Sequence, residues 1–166
     1  MLKAFVLNDT RVELHHGCSR VMNNIDYILR DKGITFTSNY VHDDWTLSEK
    51  VKKQILHSDF VIVNGEGTIH HERVLARKLL QVSEFCKFYG KKIYLINSTI
   101  QAMDTQDSLE WLSLFDFIFV RESYSYEYLN KLGIRSRVVP DMTFYSNVRT
   151  KNITRSGIAF TCSVYD

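Results

Sequence analysis

The amino-acid sequence predicts an α/β chain with a doubly wound, mostly parallel sheet of about six strands. Short apolar runs of strand character recur at about residues 3 to 8, 34 to 41, 59 to 64, 92 to 97, 116 to 120 and 136 to 139. Helix-period segments fill most of the gaps between them. The third run, Asp59 to Asn64, is β-branched and apolar and stops at Gly65-Glu66-Gly67, with His70-His71 and a helix-like stretch beyond. A strand buried on both faces hands over to a ligand-facing loop in this way.

Each element has its own reason. The run from Met1 to Asn8 is apolar but too short for a signal peptide or a membrane span, so it reads as the first strand. Val21, Ile25, Ile28 and Leu29 follow the i, i+4, i+7, i+8 spacing of a half-buried helix that ends at Gly33. Val51, Ile55 and Leu56 mark a shorter, more basic helix; Leu75, Leu79, Val82 and Cys86 form an apolar stripe between His71 and Gly90. A further helix covers Tyr124 to Leu132 and stops at Gly133, where a left-handed residue is expected. Strands and helices alternating at this spacing imply right-handed crossovers.

After Asp141 the rhythm changes. Thr143 to Ser156 is polar and irregular, and Gly157 to Ser163 reads as a new strand. That strand either adds to the sheet edge or opens a second domain, and the second reading is favoured. The expected division is an N-terminal domain over 1–150 and, over 151–166, the start of a second domain or an added edge strand.

Composition narrows the function. With 166 residues, 45% of them hydrophobic, the chain can bury one core of ordinary domain size. A net charge of +2 with no run of like charges gives no nucleic-acid footprint. Cys18, Cys86 and Cys162 are odd in number and far apart, which argues against a disulfide framework or a clustered zinc site and favours a reducing cytoplasm. One proline, Pro140, and seven glycines leave no linker-like segment, and a soluble protein is expected.

In open α/β sheets ligands lie beyond the carboxyl ends of the strands. Those ends carry Asn8-Asp9-Thr10 leading to His15-His16-Gly17-Cys18, then Gly65-Glu66-Gly67-Thr68, Asn97-Ser98-Thr99, Arg121-Glu122-Ser123 and Pro140-Asp141. Gly65 and Gly67 allow close backbone approach and positive φ, so amides there can face an anion at the start of the next helix. The plainer reading is a tight turn whose glutamate caps that helix. The spacing is not the dinucleotide fingerprint, because no third glycine follows. The adjacent pairs His15-His16 and His70-His71 point apart on regular structure and do not chelate together easily; a phosphate or carboxylate contact, or a structural hydrogen bond, suits each histidine better than a metal. Arg121 emerges at a strand end, to hold an anionic substrate or to pair with Glu122 or Asp141. Asp141, after Pro140, is a candidate nucleophile, base or helix cap, and with Glu66 forms a pair of carboxylates from different strand ends.

The order of these motifs, from His15-His16-Gly17-Cys18 through Asp59 to Gly67, then Phe119-Val120-Arg121-Glu122-Ser123 with Tyr126 and Leu129, Gly133-Ile134, and Val139-Pro140-Asp141-Met142-Thr143-Phe144, resembles the polysaccharide pyruvyl transferase family of bacterial cell-surface glycan synthesis. The resemblance implies one Rossmann-like half of a GT-B-type two-domain transferase, with the active site in the interdomain cleft. It also implies transfer of pyruvyl from phosphoenolpyruvate to a glycan sugar, giving a ketal and phosphate. Much of the donor's phosphate contact would come from a C-terminal half, missing here or supplied elsewhere. No cofactor or metal is implied. The acceptor glycan can be lipid-linked, which would place a cytoplasmic protein at the inner face of the membrane.

The chain departs from the family where a run of glycines gives way to Asn64-Gly65-Glu66-Gly67, and where an early glycine-aspartate loop gives way to the histidine pair. The glutamate form resembles a related branch, the retaining β-Kdo glycosyltransferases, which implies Glu66 as acid/base, Asp141 as nucleophile and a CMP-activated acidic sugar as donor. Glu66 and Asp141 are thus the expected catalytic residues, and His15, His16, Asn64, Gly65, Gly67, Thr68, Arg121 and Ser123 the expected substrate contacts. A third reading is a truncated, non-catalytic half-module that binds a ligand or partner.

Overall fold

A computed structural model of the chain describes residues 1–13, 15–40, 44–145 and 156–157. The apolar runs become strands β1 (Lys3–Leu7), β2 (Thr35–Asn39), β3 (Phe60–His70), β4 (Lys92–Gln101), β5 (Phe117–Val120) and β6 (Ser136–Val138). Between them lie α1 (His16–Asp31), α2 (Glu49–His57), α3 (Val74–Phe88), α4 (Gln106–Ser113) and α5 (Ser123–Lys131). Short 3-10 turns at Thr10–Glu13 and Met142–Phe144 complete the described elements. All neighbouring strands pair parallel, in the order β2-β1-β3-β4-β5-β6. The expected α/β, doubly wound, Rossmann-like sheet is the observed fold.

Strand side chains alternate between two cores, as a period of two requires. On one face Ala4, Val6 and Ile62 pack with Val21, Met22, Ile25 and Leu29 of α1. On the other, Phe5, Leu7, Val61, Val63, Ile93, Leu95, Ile118 and Val120 pack with apolar residues of α2, α3, α4 and α5. Both cores are fully dehydrated at their centres, with Phe5, Val6, Val61 and Val63 at 0% exposure. The helix stops fall where the sequence places them: Gly33 and Gly133 adopt φ of 67° and 69°, a conformation that costs glycine little. Ser48 and Thr105 cap α2 and α4 by accepting from the amides of Val51 and Ser108.

β3 differs from expectation. It does not stop at Asn64 but continues as strand through the two glycines to His70. The reason is its neighbour: Asn64 pairs with Ile96 and Glu66 with Ser98, the register breaks, and pairing resumes at Ile69 with Ile100. At Gly65 a Cβ would stand 2.1 Å from Ser98 Oγ and 2.9 Å from Ser98 Cβ, so only glycine lets the strands stay paired. The positive φ falls not on a glycine but on Glu66, at 46°. The irregularity is a bulge that re-aims one side chain inside a continuing ladder.

The strand expected over 157–163, apart from Gly157, lies outside the described residues, as does most of the segment assigned to a second domain. No helix among the described residues is long and apolar enough to cross a membrane.

Candidate active site

β1 and β3 lie side by side, yet α1 leads from β1 outward to β2, while α3 leads from β3 the other way to β4. This is the topological switch point, where the connections diverge and leave a crevice beyond the strand ends. The parallel register pairs Leu7 with Val63, an offset of 56 residues. Extended past the ladder, the same offset brings Asn8 to Asn64 and Thr10 to Glu66.

The Glu66 carboxylate sits in this crevice and accepts three hydrogen bonds. The Thr10 hydroxyl donates to Oε1 at 2.7 Å, the Asn64 amide donates to Oε1 at 2.9 Å, and the Cys18 thiol donates to Oε2 at 3.4 Å. Cys18 Sγ also lies 3.5 Å from Nδ1 of His15 and 3.8 Å from an oxygen of Glu13. Burial, then the charge and hydrogen bond of Glu66, push the Cys18 thiol up to about 11, so it is a protonated donor near neutral pH. Asn64 is fully buried and its amide faces Glu66, Asn8 and Met22, which makes it a support beneath Glu66.

In front of Glu66 opens a cleft of about 430 Å³, lined among others by Glu13, His15, Cys18, Thr68, His70 and Arg73. His15, Glu66, Gly67 and Thr68, four of the expected site residues, meet there. The histidine pair of 70 and 71 corrects an expectation. Instead of pointing apart, their Nδ1 atoms lie 2.9 Å from each other, because His71 leaves the strand with a φ of 51°. Burial, then the charges of Arg73 and His71, lower the pKa of His70 below the usual imidazole value. His16, in the first turn of α1, is exposed.

A second group forms beyond β4, β5 and β6. Arg121 Nη1 donates to Asp141 Oδ2 at 2.8 Å, and its Nε donates to the Thr99 hydroxyl at 2.9 Å. Of the alternatives for Arg121, the ion pair with Asp141 is the one formed. Glu122 instead caps α5, accepting from the amides of Tyr124 and Ser125. Asp141 Oδ1 accepts from the Thr143 amide at 2.9 Å and the Thr143 hydroxyl at 2.8 Å. Burial opposes its charge, but these bonds and Arg121 outweigh it and hold the Asp141 carboxyl below the usual carboxylate range. Asp141 borders a different cavity, of about 580 Å³ and largely apolar, formed with Ile96, Phe119, Val139 and Met142. Ser123 stands exposed at the first residue of α5.

The two groups are linked. A Cβ on Gly67 would lie 3.5 Å from Arg121 Nη2, so the guanidinium passes beside the Glu66 bulge. Behind it, the Asn97 amide reaches Asn64 Oδ1 at 3.4 Å, and Asn97 Oδ1 accepts from the Met142 amide at 3.0 Å. Among the described residues, no three His, Cys, Asp or Glu side chains are arranged to hold a metal ion. Sequence reasoning found the strand ends but not the roles of Thr10, Cys18, Thr99 and Arg73. Thr10 was legible in principle from the β1–β3 register; Cys18, 48 residues from its partner, carried no such signal.

No curated protein and no solved structure matches the chain. The family model described as polysaccharide pyruvyl transferase matches residues 15–160. That match runs over most of the chain and takes in both the Glu66 and the Asp141 groups, so the chain belongs to the polysaccharide pyruvyl transferase family.

Proposed function

We propose that this chain takes part in pyruvyl transfer from phosphoenolpyruvate to two hydroxyls of a sugar in a bacterial cell-surface glycan, with Glu66 as the catalytic base. The observation that carries the reading is the Glu66 carboxylate at the switch point. It is fixed by three donors and lines the cleft at the switch point of a chain that belongs to the pyruvyl transferase family. A carboxylate offers about four acceptor positions. Three are taken, and the remaining one, on Oε2, is assigned to a sugar hydroxyl.

The chemistry balances without a redox partner. One sugar hydroxyl adds to C2 of the enol phosphate, and its proton ends on C3, which becomes the methyl group. The second hydroxyl then attacks C2, the C2–O bond to phosphate breaks, and inorganic phosphate leaves with that hydroxyl's proton. Glu66 relays the hydroxyl protons in this scheme. His15 and Thr68, on the cleft wall, contact the acceptor. Gly65 and Gly67 shape the bulge, and Arg121, beside Gly67, takes the donor carboxylate through Nη2. His16 and Ser123, exposed at helix starts, reach only a ligand that extends beyond the cleft. A second GT-B-type domain would supply the phosphate contacts. A lipid-linked capsular or lipopolysaccharide acceptor would bring a cytoplasmic enzyme to the inner membrane face.

A second reading is retaining transfer of a CMP-activated acidic sugar, with Glu66 as acid/base and Asp141 as nucleophile. It is favoured by one observation: Asp141 is fixed by Thr143 and its carboxyl is held below the usual range, as an anionic nucleophile requires. Ligand-dependent melting of the purified chain separates the two, because a ligand that binds only the folded state raises its melting temperature. A rise with phosphoenolpyruvate alone supports pyruvyl transfer, and a rise with CMP alone supports sugar transfer. No rise with either favours a half-module whose donor site lies elsewhere.

A further inference from the structure

We propose that Cys18, together with Thr10, is a positioning residue for Glu66: the thiol fixes one carboxylate oxygen and the threonine hydroxyl the other, leaving a single aimed acceptor position for the substrate hydroxyl. This inference rests on Glu66 acting as the base.

Glu66 stands on a strand bulge with φ of 46°, a conformation in which a side chain other than glycine is held only by its surroundings. Its hold comes from three elements at once. Thr10, 2% exposed, reaches it from the turn after β1; Asn64 from β3 itself; and Cys18 from the first turns of α1. Thr10 and Asn64 both donate to Oε1, so they fix that oxygen and leave the carboxylate free to rock about it. The Cys18 contact to Oε2 removes that freedom. Two neighbours flank the thiol. Nδ1 of His15 is 3.5 Å and an oxygen of Glu13 3.8 Å from Sγ, and a Cβ on Gly17 would lie only 3.1 Å from the His15 ring. The thiol, pushed up to about 11 chiefly by burial, stays a donor over the pH range in which a hydroxyl would be activated. A sulfur donor is weak, so its contribution is orientation rather than binding energy, and orientation is where small displacements cost rate.

The test uses the whole chain in a phosphoenolpyruvate-to-glycan transfer assay, with Cys18→Ala, Cys18→Ser, Thr10→Val and Thr10→Ser, plus a measurement that needs no turnover. Cys18→Ala and Thr10→Val are expected to lower kcat about tenfold, a fraction of what a positioned base contributes. KM for the donor stays within about twofold. Cys18→Ser and Thr10→Ser, which keep a donor, recover most of kcat, a rescue that a loss of packing would not show. Independently, alkylation of Cys18 by iodoacetamide at pH 8.5, located by peptide mass spectrometry, is expected to run at least about threefold faster in Glu66→Gln, because the neighbouring charge that disfavours the thiolate is gone. Wild-type kcat in Cys18→Ala and Thr10→Val, in a chain that does transfer pyruvyl, overturns the inference and leaves the proposed function standing. Unchanged alkylation in Glu66→Gln overturns it whether or not the chain turns over. Absence of transfer by the wild-type chain supplied with the second domain that completes the phosphate contacts overturns the proposed function and this inference with it.

Discussion

Arg121 and Asp141, twenty residues apart, form a 2.8 Å ion pair that ties the end of β5 to the turn after β6, while Arg121 Nε holds Thr99 at the end of β4. Both side chains are about three-quarters buried, at 26% and 21% exposure, so the pair is screened less than a surface one. Asp141→Asn should destabilise the chain by about 1 kcal/mol at pH 7, with Arg121→Lys costing a similar amount and the double variant less than their sum. The sign of the pH effect follows from the lowered carboxyl. A folded-state pKa below the unfolded one gives stability that is present above about pH 4 and is lost as pH falls through the folded value. Urea unfolding of wild type and Asp141→Asn across pH 7 to 2.5 should show the two curves converging on the acid side.

Gly65 sets the second prediction. A methyl group there meets Ser98 Oγ at 2.1 Å and Ser98 Cβ at 2.9 Å; rotating the hydroxyl away relieves only the first clash. Gly65→Ala is expected to cost about 1 to 3 kcal/mol, the usual range for overpacking a close-packed site. Adding Ser98→Gly should restore part of that loss. Chemical denaturation of the single and double variants measures both numbers, and an unperturbed Gly65→Ala would mean that the β3–β4 approach is looser than described.

Asp116 anchors the other end of the sheet. Its carboxylate accepts from the Ile93 amide at 2.9 Å and from Lys87 and Lys92, each at 3.0 Å. Burial opposes its charge, yet these partners bring its pKa down to about 2. Because the lysines are 36% and 67% exposed, the screened contribution is about 1 to 2 kcal/mol at neutral pH. Asp116→Asn should lose that amount at pH 7 and progressively less as pH falls below about 4 and through 2, since the stability from a lowered carboxyl is lost as pH falls through its folded value.

Much of this architecture was legible in the sequence. The six runs became six parallel strands, and the polar residues after the first, third, fourth, fifth and sixth collected at one edge. The placement of Glu66 at that edge was legible because it lies between two glycines just past a buried apolar run. The continuation of β3 to His70 was not, since it depends on β4 supplying a partner that tolerates a register break. The Cys18–Glu66 contact was hidden for a similar reason: the two residues are brought together by how α1 packs beside β3, and no local pattern records that. His70 and His71 were misjudged because regular strand geometry was assumed where the backbone turns left-handed at His71.

The measurement that bears most directly on the role of Glu66 is transfer from phosphoenolpyruvate to a glycan acceptor, followed by mass spectrometry of the sugar and by phosphate release, for wild type and Glu66→Gln. A pyruvyl ketal and phosphate in equal amounts from wild type, with at least about a 100-fold loss in Glu66→Gln, is the expected result for a positioned base. Equal transfer by Glu66→Gln and wild type would contradict it.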